Sequence, residues 1–177
     1  LSKRLDVAEE PDKRKILMCR IGEHYETHLD RPQQAFEMAR SILLEDPTDI
    51  GVRVWFEQLA ERLGLNDELA STYVELATKS SPPNDLQYHR WAAKLFEDKL
   101  GDLDRAAEQY RAILKLRDHD ERALMGLEAI YRKTNQPAEL VDIMRQRIDT
   151  GIDVDQHTEY LRQIARLELE DLGAPLD

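Results

Sequence analysis

Sliding the sequence against itself by 71 residues superimposes identical residues without a gap over most of the chain. Glu26 falls on Glu97, Leu29 on Leu100, Ala35 on Ala106, Glu37 on Glu108 and Arg40 on Arg111. Ile42 and Leu43 fall on Ile113 and Leu114, and Asp49, Glu57, Glu68 and Leu69 fall on Asp120, Glu128, Glu139 and Leu140. A slide of 72 sets Arg162, Ala165, Leu167, Leu172 and Gly173 on Arg90, Ala93, Leu95, Leu100 and Gly101. A fixed period of this kind means a structural unit that is stacked on copies of itself, each burying the apolar face of its neighbour.

The unit is helical. Apolar residues recur at spacings of three and four, and no stretch sustains the two-residue alternation of a strand. Turn residues interrupt the pattern at Asp30-Arg31-Pro32, Asp46-Pro47-Thr48-Asp49, Gly64-Leu65-Asn66, Ser80 to Asn84, Gly101-Asp102, Arg117 to Asp120, Asn135-Gln136-Pro137 and Thr150-Gly151. These breaks predict nine helices, over 12–29, 32–45, 49–63, 67–79, 84–100, 103–116, 120–134, 137–149 and 155–172. Asp30 with Gln33, and Asp118 with Glu121, read as capping boxes at two helix starts. Links this short join antiparallel hairpins. One 71-residue copy is therefore two hairpins of about 35 residues. The expected architecture is an all-α solenoid of helical hairpins in a single array over 1–177. It holds copies at about 12–81 and 83–150 and a truncated third copy at 155–177.

The residues that carry the period resemble tetratricopeptide repeats. Ala106-x3-Tyr110-x2-Ile113 looks like the second helix of that motif, and Leu127-x3-Tyr131-x3-Asn135 like its first helix and turn. Ile21-Gly22-x2-Tyr25 and Ala92-Ala93-x2-Phe96 look like the same first-helix core, with small residues where two helices touch. Asp46-Pro47 sits at the position of the inter-repeat proline. The departures are specific: Phe96 to Gly101, and Tyr25 to Asp30, span five residues where the motif has four. Leu69 and Leu140 replace Ala, Asp118 replaces Pro, and Glu168 stands where the third copy should have an aromatic. The half-a-TPR repeats of RNA-processing scaffolds are the nearest alternative. The resemblance implies a right-handed superhelix and a protein-interaction scaffold without catalysis. Its end at Leu172-Gly173-Ala174-Pro175-Leu176-Asp177 matches a turn inside a hairpin, so the chain reads as a segment of a longer array whose open end invites self-association.

Composition narrows the function. The formal net charge is −11, which argues against general nucleic-acid binding. One cysteine excludes a disulfide framework and fits a reducing, cytoplasmic setting, with a cysteine-poor periplasmic protein as the alternative. No apolar run reaches the roughly 18 residues of a membrane span. No signal peptide, glycine-rich phosphate loop or nucleophile elbow is present. His24 and His28 have the four-residue spacing of a helical metal pair, but Glu26 is one position off the zinc-protease pattern and no third ligand is evident. Cys19 has no base beside it. No cofactor or metal is expected.

The resemblance implies a ligand on the concave face formed by the first helix of each hairpin. By register the outward positions are Cys19, Glu23, Glu26 and Thr27; Val54, Gln58, Glu61 and Arg62; Arg90, Lys94, Glu97 and Asp98; Arg122, Met125, Ala129, Arg132 and Lys133; then Arg162, Arg166 and Glu170. Seven cations, Arg90, Lys94, Arg122, Arg132, Lys133, Arg162 and Arg166, fall in the C-terminal part of that register. A basic stripe on an acidic chain implies an acidic peptide or protein partner. The alternative is a solvated face whose cations pair with nearby carboxylates. Glu23, Gln58, Lys94, Ala129 and Arg166 occupy the positions where a carboxylate clamp has Asn, so that clamp is not expected. The other readings are a recruitment arm of a larger enzyme and a half-a-TPR RNA-processing scaffold.

Overall fold

A computed structural model describes residues 11–151 and 153–170. They form α1 (Pro11–Thr27), α2 (Pro32–Glu45), α3 (Ile50–Leu63), α4 (Asn66–Lys79), α5 (Asn84–Lys94), α6 (Leu103–Leu116), α7 (Glu121–Lys133), α8 (Pro137–Asp149) and α9 (Val154–Glu170). A π-helical turn over Leu95–Leu100 extends α5. Every expected helix is present, and the described residues contain no strand. The turn expected from Leu172 onward lies outside the described residues.

The period appears as matched backbone geometry. Asp49 caps α3 by accepting from the Val52 amide at 2.9 Å, and Asp120, 71 residues on, caps α7 by accepting from the Ala123 amide at 3.1 Å. Each satisfies an amide that has no partner inside its helix. Gly64 and Asn135 end the corresponding helices α3 and α7 near φ 71 and 53, and Asp30 and Gly101 form another left-handed pair at φ 50 and 65. Glycine or a short polar residue adopts that conformation at little cost.

These facts correct both capping boxes. Asp30 is the left-handed residue that closes α1, and Arg31 caps α2 without a side-chain bond. Asp120, rather than Asp118, caps α7, which leaves Glu121 in the first turn.

The five-residue spacings have a structural cause. The extra residue after Phe96 is absorbed by the π turn. In the first copy Leu29 donates to the His24 carbonyl, five residues back, at 3.3 Å, and Arg31 donates to Tyr25 at 2.9 Å. Both copies widen the helix at the same place, as single-residue insertions do.

The chain forms two compact units, Leu1–Leu100 and Gly101–Asp177. In the first, each helix from α1 to α5 packs on the next, and the π turn packs on α4. Phe36 and Phe56 stack at 4.6 Å in its core among Ala35, Ala39, Leu59, Ala60 and Leu76. In the second unit α6 packs on α7, α7 on α8 and α8 on α9. Its core holds Ala106, Ile113, Leu124, Leu127, Met144 and Ile164. Each large side chain buried this way contributes about 1.5–3 kcal/mol.

Close helix contact needs the small residues. A Cβ on Gly22 would stand 2.2 Å from Cη2 of Trp55, and one on Gly126 would stand 2.6 Å from the Tyr110 ring. In each case the ring lies directly against the glycine, in the space a side chain would need.

Candidate partner-binding groove

The first unit holds a groove between α3 and α5, floored by α4. Its framework begins at the α2–α3 turn. Lys15 of α1 pairs with Asp46 at 2.8 Å and also with Asp49. These bonds hold both carboxyls below the usual carboxylate range, with the hydrogen bond to Lys15 the largest cause. Asp49, fixed in this way, starts α3. Arg53, one turn along, then points at α5.

An aromatic cluster forms the centre. Tyr73 of α4 and Tyr88 of α5 have ring centroids 5.5 Å apart, and Trp91 lies 5.5 Å from the first and 5.3 Å from the second. Tyr73 and Tyr88 are buried, while Trp91 keeps one side open. The Arg53 guanidinium lies 4.4 Å over the Trp91 ring, which is cation–π distance. It also pairs with Glu57 at 2.6 Å. Glu57 in turn accepts from the Tyr73 hydroxyl. The Tyr88 hydroxyl donates to the Pro47 carbonyl at 2.5 Å. Burial pushes the Tyr88 phenol up to about 12. Burial, and then the Glu57 carboxylate, push Tyr73 well above the usual phenol range. Both therefore stay protonated at neutral pH and keep donating.

Trp91 separates two concavities. One, of about 270 Å³, is lined by Glu57, Glu61, Leu69, Tyr73, Trp91, Lys94, Leu95, Asp98 and Lys99. The other, of about 330 Å³, is lined by Pro47, Ile50, Arg53, Gln87, Tyr88 and Trp91 among others. The first has an apolar floor and a rim of both signs, with Glu61 on α3 and Lys94, Asp98 and Lys99 on α5 and its π turn. That combination suits a segment that inserts an apolar side chain and carries charges beside it.

The second unit places a carboxylate at the matching position and buries it by another route. Glu128 matches Glu57 in the period and is buried. It accepts from the Tyr160 hydroxyl at 2.8 Å and pairs with Arg147 and Arg132. Arg147 also donates to the Tyr160 oxygen at 2.5 Å. Burial and the Glu128 carboxylate push Tyr160 up to about 12. The network ties α7, α8 and α9 together and satisfies a charge that would be costly alone.

Most of the positions read as outward are exposed. Glu23, Thr27, Val54, Gln58, Glu61, Arg62, Lys94, Asp98, Arg122, Met125, Ala129, Arg132, Lys133, Arg162 and Arg166 are exposed, while Cys19, Glu26, Arg90 and Glu97 are half-buried. Of the seven cations, Lys94 lines the cleft and Arg90 sits one turn before it on α5. Arg132 is engaged by Glu128 and donates to Gln163 at 3.0 Å, and Arg162 lies 3.8 Å from Glu159. Sequence reasoning missed Arg53, Tyr73 and Tyr88 as one cluster. The usable signal was Glu57, a carboxylate held at the same place in both copies.

The reactive-looking residues have structural settings. Burial pushes the half-buried Cys19 thiol up, away from nucleophile activation. His24 and His28 stack at 4.7 Å, and among the described residues no three His, Cys, Asp or Glu side chains are grouped to hold a metal. Trp55 donates to Glu26 at 2.9 Å, and Arg62 pairs with Glu26 at 2.8 Å. No helix among the described residues is long and apolar enough to cross a membrane.

No family model matches the chain, and no curated protein matches it. Solved structures align with much of its length. The MamA RS-1 ArsTM double mutant is 14% identical with a TM-score of 0.46, over 88% of this chain and 94% of that one. A second MamA structure is 14% identical with a TM-score of 0.45, over 92% and 96%. TTC0263, a thermophilic TPR protein of Thermus thermophilus, is 18% identical with a TM-score of 0.33, over 85% and 99%. The tetratricopeptide-like fold rests on this chain's own hairpins, its period and its glycine-mediated helix contacts.

Proposed function

We propose that this chain is a non-catalytic protein-interaction scaffold and that a partner segment binds in the α3–α5 groove. The observation that carries the reading is Trp91, half-open between two concavities and held by Arg53, Tyr73 and Tyr88. Amphipathic aromatic surface of this kind, supported from beneath, is the usual anchor of a protein interface. The partner inserts an apolar side chain beside Trp91 and sets an acidic residue against Lys94 and Lys99. The exposed Arg122 and Lys133 of α7 extend the preference for acidic partners to the second unit. Buried carboxylates that are already paired, and a thiol pushed up by burial, support a structural rather than a chemical use of these groups.

The test is site-specific photocrosslinking in cells. A crosslinking residue at Glu61 or Asp98 should trap a discrete partner, and one at Glu37 on α2 should not. Equal trapping at all three positions, or trapping only at Glu37, overturns the groove reading.

A further inference from the structure

The second unit carries a groove that the first copy of the repeat straps shut. In the first copy Arg40 of α2 donates to the Thr72 hydroxyl and to Glu75 of α4, each at 3.0 Å. Arg111, its counterpart 71 residues on, finds Ile143 and Gln146 at the matching places on α8. Ile143 has no acceptor and Gln146 has no charge. Arg111 turns instead onto α7, where it donates to the Tyr131 hydroxyl at 2.9 Å and lies 5.5 Å over that ring. The first copy has Ala60 where Tyr131 stands. Without the strap, α6 and α8 leave between them a groove of about 500 Å³.

Its walls are built alike and charged oppositely. Arg111, Leu114 and Lys115 of α6 form one wall, and Glu139, Asp142 and Ile143 of α8 form the other. Spacings of three and four put each set on one helical face. Leu127 and Tyr131 of α7 are buried between the walls and complete an apolar floor with Leu114 and Ile143. Lys115 and Asp142 stand where the first copy has Leu44 and Ser71, so both charges enter where the strap is lost. Lys115, Glu139 and Asp142 are exposed, and among the described residues none of the three has an ion-pair partner. Asp118 adds a carboxylate past the C-terminal end of α6, while the helix itself sets only cations on its wall.

We infer that this groove takes a partner helix with three distinct faces. An apolar ridge lies on the floor, carboxylates run along the flank toward Arg111 and Lys115, and cations run along the flank toward Glu139 and Asp142. The pattern requires a helix. Side chains of an extended segment point to two opposite sides, so such a segment meets the floor or the two walls but not all three. A helix turns its side chains about 100° per residue and reaches all three. A helix of one charge sign sets like charges against one wall. The groove belongs to the second unit alone, and the inference does not rest on the reading of the α3–α5 groove.

Three fluorescein-labelled helical peptides of about 18 residues test it. All share one leucine ridge. The first carries Glu along one flank and Lys along the other, the second Lys on both flanks, and the third Glu on both. Anisotropy titrations should show the first binding in the micromolar range, at least tenfold tighter than the others. Lys115→Glu should weaken the first about tenfold and strengthen the second, and Asp142→Lys should weaken the first about tenfold and strengthen the third. Glu108→Lys, on α6 but away from the groove, should leave the first unchanged, and melting curves verify that each variant folds. A first peptide that does not bind, or binds no tighter than the other two, overturns the inference. So does binding untouched by Lys115→Glu and Asp142→Lys, which puts the peptide elsewhere on the chain. A chain that pairs with itself in sedimentation, and is dispersed by Asp142→Lys, gives the groove to a second copy and overturns it equally.

Discussion

Arg53 lies 4.4 Å above Trp91 while its guanidinium is also paired with Glu57 at 2.6 Å, so one side chain couples α3 to the aromatic wall of α5. Replacing Arg53 with Met keeps most of the apolar stem but removes the cation and leaves Glu57 with the Tyr73 hydroxyl alone. The expected cost is about 1–2 kcal/mol, read as a lower urea midpoint. Trp91 fluorescence should change as the ring loses its cover. An unchanged midpoint and spectrum would mean that the pair does not hold the groove.

The helices and their period were legible because stacked hairpins need apolar spacing, and each break carries its own turn residue. The groove was only half legible. Glu61 follows from the register of α3, and Lys94 and Asp98 from that of α5 and its π turn. Arg53, Tyr73 and Tyr88 come from three different helices and meet only through packing, which spacing along one helix does not encode. Within the cation stripe Arg132 reaches Glu128 and Gln163, and neither pairing is visible without the fold.

Gly22 and Gly126 occupy tight helix contacts with different room to adjust. At Gly22 a Cβ meets Trp55, which is held by its hydrogen bond to Glu26, so Gly22→Ala should destabilise by about 1–2 kcal/mol despite the better helix propensity of Ala. At Gly126 the Cβ meets the Tyr110 ring at 2.6 Å rather than 2.2 Å, a milder overlap, so Gly126→Ala should cost about 1 kcal/mol or less. Urea unfolding of the two variants gives the comparison, and a larger loss at Gly126 would contradict it.

Glu128 is buried with two guanidinium partners and one phenol, so Glu128→Gln leaves Arg147 without its counter-charge. The expected loss is about 3 kcal/mol, and it should fall on the second unit. Glu57→Gln, at a partly exposed carboxylate, should cost less. Hydrogen exchange resolved by segment would show protection falling in α7, α8 and α9 for the first variant and in α3 and α4 for the second.

Acid should destabilise the first unit through Asp46, Asp49 and Glu26. Their folded carboxyls lie below the ordinary values of 3.8, 3.8 and 4.5, so their contribution is present above those values and is lost as pH falls through the lowered ones. Lys15→Met removes the largest cause for both aspartates and should flatten the acid limb of the stability curve. At the other end Tyr88 and Tyr160 are raised from 10.0 to about 12, so their contribution holds below 10 and disappears as pH climbs toward 12. Phenolate absorbance of the folded chain should show these two ionising late.

A partner segment seated in the α3–α5 groove would lie against Trp91, so that ring reports on it directly. In a Trp55→Phe background, a peptide copied from the partner trapped at Glu61 is titrated against the chain while Trp91 emission is followed. Saturable change that Lys94→Glu weakens at least tenfold, with folding unchanged, is the predicted result. Binding of that peptide with Trp91 silent, and with no loss in Lys94→Glu, would contradict the groove and move the site elsewhere on the chain.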